Sequence, residues 1–264
     1  MRILCNSYPE GKRRAMTFSY DDGMIFDRRL AKIFDENGLR ASFHLNSGLL
    51  GDGNHLTKEE LPEVFRNHEV SVHTVTHPWL SMMPDEGILW EVMEDRRTLE
   101  AAAGYPVRGM SYPFGDYDER VLSVLRTCGI VCSRTVRATN AFALPDDFLA
   151  WHPTCHHTGP LDELLDAFRK SPYWNLSCFF IWGHSYEFDR SDNWSLIEEF
   201  AKRAAGDPET WYATNIEIYD YVTALRALRF SVDRTMVQNL SAIDVWVTAD
   251  GVPVKVPAGQ IVRF

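Results

Sequence analysis

Short apolar segments of strand length alternate with longer amphipathic segments through most of this chain, and this alternation limits its possible folds more than any other feature. It predicts strands over residues 16–20, 41–45, 69–73, 110–112, 130–134 and 176–183. Strands that alternate with helices form a parallel sheet, either open or closed into a barrel. In both arrangements ligands bind at the carboxyl ends of the strands, so polar residues that follow a strand are the first candidates for a functional site.

Apolar residues at helical spacing predict helices between these strands. The first helix begins near Phe26 and is ended by Gly38. Another is predicted to begin with a capping box formed by Asp116 and Glu119. Three further helices are predicted over residues 85–103, 192–205 and 217–228.

The pattern changes beyond about residue 230. Residues 243–248 and 252–256 alternate like two strands of a hairpin, and Asp250-Gly251 between them is a typical hairpin turn. The chain has 264 residues, which is near the upper limit of about 250–300 for a single hydrophobic core. We therefore predict an α/β domain over residues 1–229 with a short β-rich appendage over residues 230–264.

The balance of charge argues against several classes of partner. Asp and Glu number 37 against 27 Lys and Arg, which gives a net charge of −10. Such acidity argues against binding to nucleic acids or to anionic membranes. In addition, no apolar run approaches the ~20 residues that a membrane span needs.

The start of the sequence lacks the hydrophobic stretch of a signal peptide. The five cysteines include no Cys-x-x-Cys pair, which indicates neither a disulfide framework nor a thiolate zinc site. We therefore expect a reduced, cytoplasmic setting. The sequence does not indicate an oligomeric state.

Two adjacent carboxylates, Asp21 and Asp22, directly follow the first predicted strand. At the end of a strand the backbone can turn and direct both side chains into one pocket. Two carboxylates so close together are not easily both charged unless a cation or a proton separates them. The pair alone is also compatible with a solvated turn, because Asp-Asp-Gly is common in loops.

Two histidines, His73 and His77, enclose a segment of β-branched residues that precedes Pro78. This composition favours an extended strand that ends in a loop, with both imidazoles facing one centre. Imidazole is the commonest protein ligand for zinc and related metals, and two histidines with one carboxylate form a recurring open metal site. The alternative is one packed core histidine and one surface histidine.

The third cluster joins a Pro–aromatic–Gly turn at Pro113, Phe114 and Gly115 to His184, which follows the last predicted buried strand. Such a turn can present a free backbone N–H to a bound oxygen, and a histidine in this position can act as a general acid. A tight turn and a hydrogen-bonded histidine are the alternatives when each is taken singly.

Taken together, the clusters predict one site rather than three. Asp22, His73 and His77 complete a metal site with two histidines and one carboxylate. Asp21 then remains as a base beside the metal, and His184 as an acid across from it.

This combination resembles the polysaccharide deacetylase family, also called NodB-type or carbohydrate esterase family 4. The resemblance extends from about Thr17 to His184. Residues 17–23 are similar to the first motif of the family with one extra residue, and residues 73–78 match the second motif fully. Residues 111–115 are similar to the third motif.

The resemblance implies a distorted (β/α) barrel with fewer than eight regular units. It also implies a divalent metal ion, zinc in the first place, with cobalt, manganese or nickel as alternatives. The metal activates a water, Asp21 removes the proton of that water, and His184 donates a proton to the leaving group. The residues implied at the oxyanion and substrate side are Tyr112, Pro113 and Phe114, the last through its backbone N–H.

The third motif departs from the family pattern at two positions, Ser111 and Phe114. Ser111 stands where the family has an arginine that orients the base, and Arg108 or Arg134 could take its place. Phe114 replaces a tyrosine, which we expect to be tolerated because the role rests on the backbone N–H.

The family's fourth motif has no clean match. Trp151-His152 and His156-His157 lie in the corresponding stretch and could shape the pocket or line a loop. Trp182, two positions before His184, is the aromatic residue that we place at the site. Glu187 could orient His184, or it could be a solvated carboxylate.

Three functional hypotheses follow. The first is a metal-dependent hydrolase that removes N- or O-linked acetyl groups from a carbohydrate. The second is a hydrolase of another small amide, such as a cyclic ureide or imide, on the same architecture. The third is a relative that binds carbohydrate but has lost catalysis.

Overall fold

The computed structural model describes residues 2–171 and 175–264. The strands, in chain order, are β1 Ile3–Ser7, β2 Arg14–Asp22, β3 Ala41–Leu45, β4 Glu69–Val72, β5 Gly109–Ser111, β6 Cys132–Arg134, β7 Cys155–His156, β8 Ser177–His184, β9 Thr210–Tyr212, β10 Arg229–Phe230, β11 Met236–Gln238, β12 Val245–Ala249, β13 Val252–Val256 and β14 Ile261–Arg263. The α-helices are α1 Asp27–Glu36, α2 Leu61–Val64, α3 Asp85–Ala103, α4 Glu119–Thr127, α5 Leu161–Arg169, α6 Ser185–Arg190, α7 Ser195–Ala204 and α8 Asn215–Arg226.

One parallel sheet organises the chain, with strand order β6-β5-β4-β3-β2-β8-β7 and with β9 paired to the first residues of β2. All of these pairings are parallel. The sheet curves into a half-barrel, and the prediction of a mixed α/β fold of the distorted (β/α) barrel type is confirmed.

The central strands are buried because helices cover the sheet. Eight of the nine residues of β2 and six of the eight residues of β8 are buried. The sequence of β8 is nearly continuously apolar, as in a strand enclosed on both faces, whereas apolar and small polar residues alternate along β2. The main core lies between the sheet and α1, α3, α4, α5 and α7, and it includes Phe18, Phe43 and Ile181.

A second core joins α8 to the C-terminal strands. Val237, Val245 and Val247 pack there with Tyr221 and Val222 of α8. The hairpin of β12 and β13 forms as its sequence pattern predicts, with antiparallel pairing and a positive φ at both turn residues. The N-terminal strand β1 pairs with β12, so β1, β12 and β13 form a separate three-stranded sheet from both ends of the chain.

Three helical details differ from the sequence prediction. Helix α4 is capped by Asp118, whose side chain accepts the N–H of Val121. Asp116, predicted as the cap, instead accepts hydrogen bonds from the backbone N–H and the hydroxyl of Ser81. Helices α2, α5 and α6 were not predicted, and the helix expected over 192–205 is the shorter α7.

None of the helices in the described ranges combines the length and the apolar character needed to cross a membrane.

Candidate metal centre

The parallel register brings the candidate residues to one edge of the sheet. Asp21 at the end of β2 is the register partner of His44 in β3 and of His184 in β8. His73 directly follows β4, and Ser111 ends β5. The functional side chains therefore come from the carboxyl ends of neighbouring parallel strands, where such folds carry their sites.

Asp22, His73 and His77 converge on one point. Asp22 Oδ1 lies 3.5 Å from His73 Nε2 and 3.8 Å from His77 Nε2, and the three ligand atoms all lie within 4.8 Å of one another. Ligands of a tetrahedral zinc ion, with bonds of about 2.0–2.2 Å, are about 3.3–3.6 Å apart. The donor set and its spacing therefore fit a divalent metal ion with an open position.

The contacts of His73 leave its Nε2 free for this centre. His73 Nδ1 lies 2.9 Å from the carbonyl oxygen of Ser111 and 2.7 Å from the Ser111 hydroxyl. The carbonyl accepts only, so Nδ1 carries the proton and Nε2 keeps its lone pair. A ligating histidine normally donates its other N–H in this way, which fixes the ring.

Three candidate residues have the left-handed backbone that non-glycine residues rarely adopt. The φ angle is +82° at Asp22, +58° at His77 and +58° at Phe114. This conformation costs about 1–2 kcal/mol for an ordinary side chain and tends to cluster at functional sites. The turns after three different strands are thus all held in unfavourable geometry around the same centre.

Two buried acids of α3 hold the loop that carries both histidines. Asp95 accepts the backbone N–H of His73 at 3.0 Å and that of Ser47 at 2.8 Å. Glu91 accepts the backbone N–H of Thr76 at 2.9 Å. Burial raises the pKa of Asp95 to about 7, and the two N–H donors partly oppose this shift.

Asp21 is buried behind the three candidate ligands and is paired with Arg134, which comes from β6. Arg134 also donates from Nε to the Ser19 hydroxyl at 2.9 Å, and the Ser111 hydroxyl donates to Asp21 Oδ1 at 3.0 Å. Burial alone raises the pKa of Asp21, but the Arg134 guanidinium, with a smaller effect of His73, outweighs burial and holds it below its usual range. Asp21 is therefore a carboxylate in a site shielded from water.

Of the two arginines suggested by the sequence, Arg134 is the one that contacts Asp21. Arg108 points away and forms an ion pair with Asp220 of α8 at 2.6 Å. The short side chain of Ser111 contacts one oxygen of Asp21 and leaves the other oxygen accessible to Arg134 from the next strand.

His184 lies across Asp21 from the two histidines and is accompanied by Glu187. His184 Nδ1 is 3.4 Å from Glu187 Oε1. Burial lowers the pKa of His184, but Glu187, together with Asp21 and Asp22, more than offsets this effect and raises it above its ordinary value. The carboxylates around His184 therefore stabilise its protonated form relative to that of a free histidine.

Glu187 also contacts two further histidines, which form a second candidate metal cluster with it. Glu187 Oε2 is 3.0 Å from His156 Nε2 and 3.1 Å from His157 Nε2. However, His156 Nδ1 accepts the backbone N–H of Thr158, so its Nε2 carries the proton. Within the described chain, the buried His157 Nδ1 has no acceptor to which a ligating imidazole could donate. We therefore interpret this cluster as hydrogen bonds that fix Glu187.

The residues expected at the substrate side lie around the same edge. Tyr112 is buried and donates its hydroxyl to the Leu149 carbonyl, which makes it a support of the turn rather than an exposed contact. Phe114 is half exposed, and its ring packs edge-on against His77. Trp182 is partly buried beneath the Arg134 guanidinium, and the guanidinium carbon is 4.3 Å from the ring centroid.

Sequence reasoning missed several supporting residues. Ser19 and His44 form a buried hydrogen bond of 2.7 Å behind Asp21, and Ser19 also accepts from Arg134. Strand alternation places Ser19 on the same face as Asp21, which is a usable signal. Glu91 and Asp95 resemble ordinary charged residues of an amphipathic helix, and no sequence signal marked them as buried.

Comparison with known proteins gives matches to one family. The family model described as polysaccharide deacetylase matches residues 8–133, just under half of the chain. Chitin deacetylase 1 of Cryptococcus neoformans var. grubii is 26% identical over 115 residues, which are 42% of this chain. The match spans 23% of that relative, so the chain covers about a quarter of the curated protein that it matches.

Solved structures share the fold at low sequence identity. A structure described as a putative polysaccharide deacetylase from Mycobacterium smegmatis superposes with a TM-score of 0.62 at 16% identity, over 83% of this chain and 93% of the other. A family 4 carbohydrate esterase from Streptomyces lividans in complex with acetate gives a TM-score of 0.51 at 15% identity, over 76% and 93% of the two chains.

Proposed function

We propose that this member of the polysaccharide deacetylase family is a metal-dependent hydrolase that removes acetyl groups from a carbohydrate. The observation that carries the proposal is the convergence of Asp22, His73 and His77 on one point, with Asp21 and its register partner His184 on the neighbouring strands. The similarity to a chitin deacetylase supports an N-acetylated sugar, whereas the link to an esterase is one of fold alone.

The metal would be held by Asp22, His73 and His77, whose three donor atoms leave a coordination position free. A divalent ion such as zinc supplies Lewis acidity, which lowers the pKa of a bound water to about 7 and polarises a carbonyl. Ser111 keeps His73 in the tautomer that ligation requires, and Asp95 holds the backbone of His73.

Asp21 acts as the general base in this proposal. Its carboxylate is ionised because Arg134 compensates for burial, and one of its oxygens lies 3.9 Å from His73 Nε2, close to the centre. General bases of this kind typically contribute about 10²–10⁴-fold to the rate. The Ser111 hydroxyl holds one oxygen of the carboxylate and Arg134 holds the other, so that together they fix its orientation.

In this proposal Phe114 acts on the carbonyl oxygen of the acetyl group and His184 on the leaving group. Phe114 lies in the first turn of a short helical segment, where backbone N–H groups have no partner within the turn and can donate to an oxyanion. His184, whose Nδ1 lies 3.4 Å from the Glu187 carboxylate, donates from Nε2 to the leaving amine or alcohol in this proposal.

Acetate release with and without a chelator tests the proposal. We expect the metal-loaded protein to release acetate from acetylated chito- or xylo-oligosaccharides, and we expect the chelator to abolish release. Asp22→Ala, His73→Ala and His77→Ala should lose bound metal together with activity. Asp21→Asn and His184→Asn should keep the metal and lose turnover by about 10²–10⁴-fold.

Other results would point elsewhere. Equal loss of metal in all five variants would refute the division into ligands and proton-transfer residues. Turnover of cyclic ureides or imides without acetate release would favour another amide as substrate. Binding of oligosaccharide without any turnover would identify a carbohydrate-binding relative.

A further inference from the structure

Helix α3 is apolar on two opposite faces. On its inner face Ile88 and Val92 are buried in the main core. On its outer face Leu89, Trp90 and Met93, here called the α3 patch, are 42%, 54% and 44% exposed and line a shallow groove of about 590 Å³. A helix that is apolar on both faces is normally covered on both, and contiguous exposed apolar patches mark interaction sites.

The α3 patch is bounded by opposite charges at its two ends. Glu86 is exposed one turn before Trp90, and Arg97 is exposed one turn after Met93. With about 3.6 residues per turn, these four residues lie along one stripe of the helix. Arg97 donates from Nε to Glu94 at 3.0 Å, but its side chain is largely exposed and can also reach across an interface.

We propose that α3 packs antiparallel against α3 of a second copy of this chain, across a two-fold axis midway between Trp90 and Met93. The indole of Trp90 in each copy then packs on the thioether of Met93 in the other, a favourable sulfur–aromatic contact. Glu86 of each copy lies opposite Arg97 of the other. The proposal goes beyond the proposed function, because none of these residues belongs to the candidate metal centre.

The arrangement of charge is what favours a second copy as the occupant. A two-fold contact needs a surface that is complementary to itself. The α3 stripe has this property, since an acid at one end and a base at the other exchange places when the helix is turned around. A parallel pairing would instead place Glu86 against Glu86 and Arg97 against Arg97, which is repulsive.

Sedimentation velocity over about 1–100 µM protein tests the contact, in about 0.15 M salt so that the net charges of the two copies are screened. We expect the mass to rise from that of one chain to that of two as the concentration rises. Trp90→Ala should raise the dissociation constant at least about 30-fold, because the indole lies near the centre of the contact in both copies. Ile261→Ala, at an exposed position of β14, is the matched control and should leave the dissociation constant unchanged.

Two charge variants test the antiparallel arrangement. Glu86→Arg leaves arginines facing each other at both ends of the contact, and Arg97→Glu leaves glutamates there. Each variant alone should therefore dimerise about tenfold more weakly. An equimolar mixture of the two restores both opposite-charge pairs, so its affinity should lie within about twofold of that of the unchanged protein. Glu163→Arg, an equal change of charge at an exposed position of α5, should leave dimerisation unchanged.

The folding of the variants is checked by circular dichroism, which should show one melting temperature for all of them, since each changed side chain is exposed. A mass of one chain at every concentration would overturn the proposal, because a second copy would not cover the α3 patch. A dimer that Trp90→Ala does not weaken would place the contact on another surface. If the mixture of charge variants dimerised as weakly as either variant alone, the antiparallel pairing would be wrong.

Discussion

At the scale of single residues, the site depends on a buried pair of opposite charges. Asp21 and Arg134 are both almost fully buried, and each is surrounded by hydrogen-bonding partners. A buried pair contributes little net stability when it is complete, because both charges lose their hydration. Removing one partner lowers the free energy of unfolding strongly, because the other charge is left buried without a counter-charge.

Arg134→Met therefore has two expected effects. The kcat should fall by about 100-fold or more, because Asp21 loses the group that orients it and keeps it charged. The free energy of unfolding should fall by about 3–5 kcal/mol, measured by denaturant titration. Metal content should stay at one ion per chain, since Arg134 donates hydrogen bonds to Asp21 and Ser19 and not to the three candidate ligands.

Arg108→Met is the matched control for this variant. Arg108 pairs with Asp220 at a half-exposed site, where an ion pair is worth at most about 1 kcal/mol. Its kcat should be that of the unchanged protein. A comparable loss of kcat in both variants would contradict the assignment of Arg134 to the base.

At the scale of elements, the position of the two histidines is set by a helix that contains neither of them. Asp95 in α3 accepts two backbone N–H groups with its two oxygens, those of Ser47 and His73. An amide in its place accepts only one of them and turns an N–H toward the other. The loop would then shift without any change in the ligands themselves.

Above pH 7, where Asp95 is ionised and both of its oxygens accept, Asp95→Asn should therefore weaken metal binding by about 10–100-fold, as loss of an outer partner of a metal site typically does. Competition with a chromophoric chelator measures this change directly. Glu94→Gln, one position away and paired with the exposed Arg97, should leave the affinity as it is. If the affinity stayed the same in Asp95→Asn, α3 would not control the histidine loop.

The same scale shows what the sequence could and could not predict. Strands β2 to β6, β8, β12 and β13 were predictable from short apolar or alternating segments, and the three site motifs were visible because each follows a predicted strand. The remaining strands, β1, β7, β9, β10, β11 and β14, were not predicted. Helix α5 was also within reach, since Leu161, Leu164, Leu165 and Phe168 have helical spacing. Arg134 could only be named as one of two candidates, because its reach to Asp21 depends on how far the sheet curves between β6 and β2.

At the scale of the whole molecule, the two ends of the chain are joined through the second core. Strand β1 pairs with β12, and Val247 of β12 is fully buried in the core that contains Tyr221 of α8. We therefore predict that the C-terminal strands and the sheet unfold in one cooperative transition. Val247→Ala should lower the free energy of unfolding by about 2 kcal/mol.

In a denaturant titration of this variant, near-UV circular dichroism and the loss of acetate-releasing activity should give the same unfolding midpoint, although Val247 lies outside the site. Val252→Ala in the same hairpin is the control, because Val252 is 62% exposed and its truncation opens no cavity. Two separate midpoints would mean that the C-terminal strands unfold independently.

Glu69 gives the whole molecule a dependence of stability on pH. Burial raises the pKa of this carboxyl to about 7, against the opposing hydrogen bonds from the Ser42 hydroxyl and the Ile216 N–H. Glu217 of α8 adds a smaller shift in the same direction. Glu69 thus joins β4 to β3 and to the start of α8 in its protonated form.

The sign follows from comparing folded and unfolded chains. Below about pH 4.5 the group is protonated in both states, so it contributes no pH dependence. Between about pH 4.5 and pH 7 the unfolded chain ionises while the folded chain stays protonated, so the free energy of unfolding falls as the pH rises. This decrease in the free energy of unfolding reaches about 3 kcal/mol above pH 7 and does not grow at higher pH.

Glu69→Gln removes this contribution, since an amide mimics the protonated acid and cannot ionise. The free energy of unfolding of the variant, measured by denaturant titration, should exceed that of the unchanged protein by up to about 3 kcal/mol at pH 8. At pH 4.5 the two should nearly coincide. Glu63→Gln, at an exposed position of α2, should run parallel to the unchanged protein at every pH. A constant difference between the Glu69→Gln and unchanged proteins across this range would show that Glu69 is ionised in the folded state.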